Sequence, residues 1–119
     1  MLDIQVKRAY DPPSADDGYR VLVDRLWPRG VSRETARIDE WARELAPSDE
    51  LRRWFGHDPE RFAEFRRRYE RELEEHGGTL ERLRDLARRG RLTIVFGARD
   101  RLHNNAVVLA DILRTSGRR

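Results

Sequence analysis

Three short stretches of this 119-residue chain hold the residue types that can recognise a charged small molecule. The first is Lys7-Arg8, followed by Tyr10. The second is Asp24-Arg25, followed by Trp27, Pro28, Arg29 and Gly30. The third is Gly97-Ala98-Arg99-Asp100, followed by Asn104-Asn105. Arginine offers a planar fork of donors suited to phosphate and carboxylate, and lysine a compact ammonium. Asp24 and Asp100 can orient those cations or accept from a substrate hydroxyl. Trp27 provides a stacking wall, and Gly97 permits close approach to the backbone. The ligand-binding set expected on this basis is Lys7, Arg8, Asp24, Arg25, Trp27, Arg29, Asp100 and Asn105. Arginines beside Asp24 are expected to lower its pKa, which suits a charged anchor better than a general base.

Other chemistries find little footing. The chain has no cysteine, which excludes disulfides, thiolate metal sites and cysteine nucleophiles. His57, His76 and His103 lack the spacing of a metal site. There is no Walker loop, no dinucleotide fingerprint, no zinc-protease motif and no nucleophile elbow. No metal or cofactor is expected, and no catalytic residue is assigned.

Those three stretches matter only if the fold brings them together. Residues 2–8 alternate Leu2, Ile4 and Val6 against polar neighbours, as in a half-buried strand. Residues 19–24 carry a continuous Val21-Leu22-Val23, and residues 92–97 the run Leu-Thr-Ile-Val-Phe-Gly. Both suit strands covered on two faces, the last being central. Prolines, glycine and aspartates make 11–18 and 25–33 loops. Helical stripes follow at Ile38, Trp41, Ala42 and Leu45, and at Leu51, Trp54 and Phe55 behind a Ser48 cap. A third begins at Asp58-Pro59 and runs to about residue 75, where Gly77-Gly78 stop it. Leu80, Leu83, Leu86 and Ala87 form the next, closed by Gly90, and a final helix runs from about Asn104 to Leu113. This order predicts an α/β layered single domain over 1–119, with a small, mainly parallel sheet flanked by helices. The first two strands have the short link that also allows antiparallel pairing. Ligands of open parallel sheets bind beyond the carboxyl ends of the strands, where the three charged stretches would meet.

The basic balance is modest: 25 Lys and Arg against 22 Asp and Glu, a net charge of +3. Lys7 is the sole lysine. Much of the charge is interleaved at i,i+4 spacing, as in Glu64/Arg68, Arg66/Glu70, Arg68/Glu72 and Arg71/Glu75, which reads as a solvated, paired surface. A small anionic ligand therefore fits better than nucleic acid or a regulatory DNA site, and a non-catalytic partner-binding module is the other alternative. No apolar run approaches the ~20 residues that span a bilayer, so no membrane role and a cytoplasmic location are expected.

Three strings carry a resemblance: KRAYDPPSADDGYRVLVDRLWPRG (7–30), WARELAPSDELRRWFGHDPERFAEFRRRYERELE (41–74) and LTIVFGARDRLHNNAVVLADIL (92–113). They are similar to the YeaO-like bacterial proteins, the short branch of domain-of-unknown-function family 488, over nearly the whole chain. The resemblance implies a single-domain α/β cytosolic protein and no defined activity. The family's longer branch carries an Asp-x-Arg motif after the second strand and cysteines after a later one. Here Asp24 and Arg25 are adjacent and the cysteines are absent, so no thiol chemistry carries over. Phe96-Gly97-Ala98-Arg99-Asp100 stands where a Tyr-Ala-Ala-Lys-Asp type of string is common.

Overall fold

A computed structural model describes residues 2–116. Its sheet has four strands, β1 (Ile4–Arg8), β2 (Tyr19–Leu22), β3 (Glu40–Trp41) and β4 (Leu92–Phe96), in the order β1-β4-β2-β3. Every pairing is parallel. β1 and β2 do not pair with each other; each pairs with β4, so the antiparallel alternative falls away. All five residues of β4 are buried, as its apolar run predicts for the central strand.

Alternation along the strands sorts side chains onto two faces. Ile4, Val21, Val23, Leu92, Ile94 and Phe96 face the main core. Four helices supply its other half: α2 (Asp49–Phe55), α3 (Phe62–Leu73), α4 (Gly77–Arg89) and α5 (Asn105–Ser116). Phe65 and Tyr69 of α3, Leu83 of α4 and Leu109 of α5 are almost wholly buried there. The opposite face is covered by loops and the four-residue α1 (Arg33–Ala36). Leu22 and Val95 pack there against Trp27, Val31, Ile38 and Trp41.

Two helical expectations fail. Ile38, Trp41, Ala42 and Leu45 do not share one helix. Glu40–Trp41 is the edge strand, and Arg43–Leu45 a single 3₁₀ turn. Trp41 and Ala42 then face opposite sides of the sheet, as neighbours in extended chain must. Gly77-Gly78 do not interrupt the chain either. α3 ends at Leu73, a 3₁₀ turn spans Glu74–His76, and both glycines lie in the first turn of α4, Gly77 in right-handed helical conformation. The first turn makes few internal bonds, so glycine costs least there.

Other boundaries follow local chemistry. Ser48 Oγ caps α2 by accepting from the Leu51 amide, and Glu72 of α3 in turn accepts from the Ser48 amide at 2.8 Å and its hydroxyl at 2.6 Å. Asp58 caps the turn at Pro59. Gly18 enters β2 with φ +65, and a Cβ there would lie 2.2 Å from the Arg91 carbonyl oxygen, which accepts from the Tyr19 amide. Gly18→Ala is expected to cost about 2–3 kcal/mol through backbone strain and displacement of that bond. Urea denaturation checks it; an unchanged midpoint would mean the loop relaxes freely.

The loop-covered face also holds a buried charged cluster. Asp17 and Arg20 are each 2% exposed. Asp17 accepts from Gln5, Lys7, the Ser14 amide and Arg20, the last at 2.7 Å. Arg20 also donates to the Ala36 carbonyl, while its Nη2 has no partner among the described residues.

Candidate functional site

The parallel sheet places the ends of β1, β2 and β4 together, and a cleft of about 410 Å³ opens there. Asp24, just beyond β2, forms part of its lining. Its Oδ2 accepts from the Gly97 amide at 2.8 Å and its Oδ1 from the Asn105 amide group at 3.3 Å. Asn105 also donates to the Val23 carbonyl, and the Trp41 indole donates to the Asp24 carbonyl at 2.8 Å. Three segments thereby fix Asp24, two of them through its carboxylate. Burial pushes its pKa up, outweighing the Gly97 N–H, the Asn105 amide and the positive charge of His57. This reverses the expected lowering: neither Arg25 nor Arg29 reaches it closely enough to offset desolvation. Behind it, burial and the Asp24 charge also raise the Tyr69 phenol pKa, keeping it protonated. Its hydroxyl donates to the Leu45 carbonyl.

Arg25, Arg29 and Arg52 bring positive charge to the lining. Arg25 and Arg52 both approach Asp49, at 3.2 and 3.5 Å. No carboxylate pairs with Arg29 among the described residues. The Arg29 carbonyl accepts from the Tyr10 hydroxyl at 2.8 Å, anchoring the loop without engaging its guanidinium. Asp49 competes with any anion for two of the three cations. Asp49→Asn is therefore expected to raise phosphate affinity about threefold at low salt, an effect that should shrink as salt screens it. Calorimetric titration checks this; weaker binding would show that Asp49 positions the arginines rather than competing for them.

Apolar residues complete the lining: Leu26, Trp27, Pro28 and Pro47, with the buried core rings of Phe55 and Phe65. Trp27 is itself engaged, with its indole donating to Val31, its ring edge-on to Trp41 at 5.4 Å, and Arg33 over its face at 4.6 Å. Two histidines line the same space. His57 follows Gly56, and both lie in left-handed backbone conformation, with φ of 57 and 53. A non-glycine residue held there is uncommon and strained. His103 is held by Asp100, whose carboxylate accepts from the Leu102 and His103 amides and contacts His103 Nδ1 at 2.9 Å. The Leu102 amide leads the interactions that lower the Asp100 pKa. Asn104 caps α5 through the Val107 amide, so a helix N-terminus, favourable to anions, also opens at the cleft.

Of the residues expected from the sequence, Asp24, Arg25, Trp27, Arg29 and Asn105 line this cleft. Lys7, Arg8 and Asp100 do not. Lys7 falls in the alternation with Gln5, on the opposite face, and pairs with Asp17 at 3.0 Å. Arg8 braces the end of β4, donating to the Ala98 carbonyl at 2.8 Å, with its guanidinium over the Tyr10 ring. Asp100 acts through His103. Sequence reasoning does not single out Arg52, nor Phe55 and Phe65, which sit in ordinary helical stripes, and it considers His57 and His103 only as metal ligands, for which their spacing is wrong. Gly56-His57 ahead of the Asp58 cap is the local signal that the chain turns sharply there.

A parallel α/β sheet with a cleft at its carboxyl edge defines the class of molecule; comparison with known proteins places it among its relatives. The chain belongs to the family described as the inactive DUF488-N3 subclade, matched over residues 3–119. It is 46% identical over 114 residues to the uncharacterized protein YeaO of Escherichia coli K12, covering 96% of this chain and 99% of that one. It is 44% identical over 110 residues to uncharacterized proteins of Mycobacterium bovis and Mycobacterium tuberculosis, covering 92% of each chain. No solved structure matches it. No helix among the described residues is long and apolar enough to cross a membrane.

Proposed function

We propose that this protein binds a small anionic molecule, bearing phosphate or carboxylate, in the cleft at the carboxyl ends of its strands. The observation that carries the reading is the meeting of Arg25, Arg29 and Arg52 with Asp24, His57, His103 and Asn105 around one cleft of about 410 Å³. The arginines and the α5 N-terminus attract the anion. Asp24 and the histidines discriminate the rest of the molecule, and the aromatic walls exclude water. The role is read as binding, in keeping with the description of the family as an inactive subclade.

A nucleic-acid surface would instead gather arginines free of carboxylates. Here Arg67 and Arg68 pair with Glu64, Arg66 with Asp111, Arg82 with Glu40, and Arg88 with Asp85 and Glu81. One observation favours partner docking as a second reading. The exposed large apolar residues Tyr10 and Leu26 line the cleft, and Leu102 adjoins His103. Calorimetric titration with inorganic phosphate, sulfate, acetate and phosphate monoesters tests the main reading. Saturable one-to-one binding that weakens with salt is expected. No heat and no thermal stabilisation from any of these anions would contradict it and leave the docking reading.

A further inference from the structure

We infer that the ligand is a sugar phosphate with adjacent hydroxyl groups, its phosphate on the arginine side of the cleft and its vicinal hydroxyls on Asp24. The inference rests on the anion-binding reading and names the ligand class.

Charge comes first. Three guanidinium groups and one carboxylate line the cleft. That surplus complements the roughly −1.5 to −2 charge of a phosphate monoester better than a single carboxylate. Asp49 takes part of it by reaching Arg25 and Arg52, but it leaves Arg29 untouched.

Asp24 then specifies the other end. A carboxylate offers about four acceptor positions. The Gly97 amide uses one on Oδ2 and the Asn105 amide group one on Oδ1, leaving capacity on each oxygen. A second anionic group there would be repelled, and an apolar group would leave the remaining acceptor positions of a charged carboxylate unfilled. Two neighbouring hydroxyl donors, one for each oxygen, match the group without adding charge. Gly97 lets the carboxylate sit this close to the β4 end, since a Cβ there would stand 3.0 Å from Asp24 Oδ2 and 3.9 Å from Pro28.

Size and walls agree. About 410 Å³ is far more than inorganic phosphate fills, and the apolar walls of Trp27, Pro28 and Phe55 suit the carbon face of a ring. The same chemistry reaches the cleft either as a free pentose phosphate or within a ribonucleotide, whose base would extend toward exposed Tyr10 and Leu26.

The test is calorimetric titration of the unmodified protein with inorganic phosphate, ribose 5-phosphate, 2-deoxyribose 5-phosphate and adenosine 5′-monophosphate. Ribose 5-phosphate is expected to bind about tenfold more tightly than its 2-deoxy analogue, because the missing hydroxyl removes one charge-assisted hydrogen bond to Asp24. Stronger binding of the nucleotide assigns the base a place in the cleft; equal or weaker binding assigns the free sugar phosphate. Equal affinity for the ribose and deoxyribose compounds overturns this inference while anion binding stands. Failure of all four to bind overturns both readings. Asp24→Asn provides the second arm: it should erase the preference for ribose 5-phosphate while inorganic phosphate still binds. Persistence of the preference in that variant also overturns the inference.

Discussion

Asp17→Ala is expected to destabilise the protein by about 3–5 kcal/mol, the range for removing one partner of a buried ion pair. The cause is what the substitution leaves behind. Arg20 is 2% exposed, lies 2.7 Å from Asp17, and cannot swing its guanidinium into water. Lys7, with its side chain 21% exposed, can. The damage therefore falls on Arg20, which already has an unpartnered Nη2. The Ser14 amide also loses its acceptor, and Gln5 keeps only Thr93. Urea denaturation of Asp17→Ala, Arg20→Met and the double variant should show the double variant costing less than the two singles combined, since no charge is then stranded. Simple additivity would mean that water reaches Arg20.

The same cluster has a pH signature. Burial raises the Asp17 pKa, but the Ser14 N–H, Lys7 and Arg20 outweigh it and hold the carboxyl below its ordinary 3.8. Its contribution is thus present above that unfolded value and lost as pH falls through the lower folded one. Asp11 behaves alike: hydrogen bonds from Arg101, first among the causes, bring it down to about 2. Asp24 has the opposite sign. Its raised folded pKa means the native state takes up the proton first, so its contribution falls as pH rises through the interval above 3.8.

The second large effect concerns binding. Arg29→Ala is expected to weaken phosphate about tenfold at low salt, the size of one charge-assisted hydrogen bond, with a smaller loss at high salt. Arg29 is exposed and unpaired among the described residues, and the bond it makes to Tyr10 is through its carbonyl, which alanine keeps. The fold should be untouched. Unchanged Tm with lowered affinity, read by thermal denaturation and calorimetry on one preparation, separates this from general damage. Unchanged affinity would place the anion away from that loop.

Much of this arrangement is legible in residue order. The β-branched and aromatic runs mark β1, β2 and β4, and parallel strands leave Asp24 and Gly97 at one edge. Ser48, Asp58 and Asn104 announce three helix starts through capping chemistry. β3 is not legible, because two residues are too few for period-two alternation to compete with an accidental helical stripe. Lys7 was misplaced for a different reason. Its position at a strand end suggested the cleft, but its parity with Gln5 directs it to the other face. The rise in Asp24 pKa is a property of packing, since counting arginines in sequence says nothing about how far Gly97, Asn105 and Trp41 withdraw the carboxylate from water.

The account stands on one cleft gathering residues from separate stretches, and the histidines report on it directly. Imidazole proton resonances of His57, His76 and His103 followed during phosphate titration should show His57 and His103 shifting together, saturating at one affinity, with His76 unmoved. A shift at His76 alone, or none at His57 and His103 while phosphate binds, would contradict it.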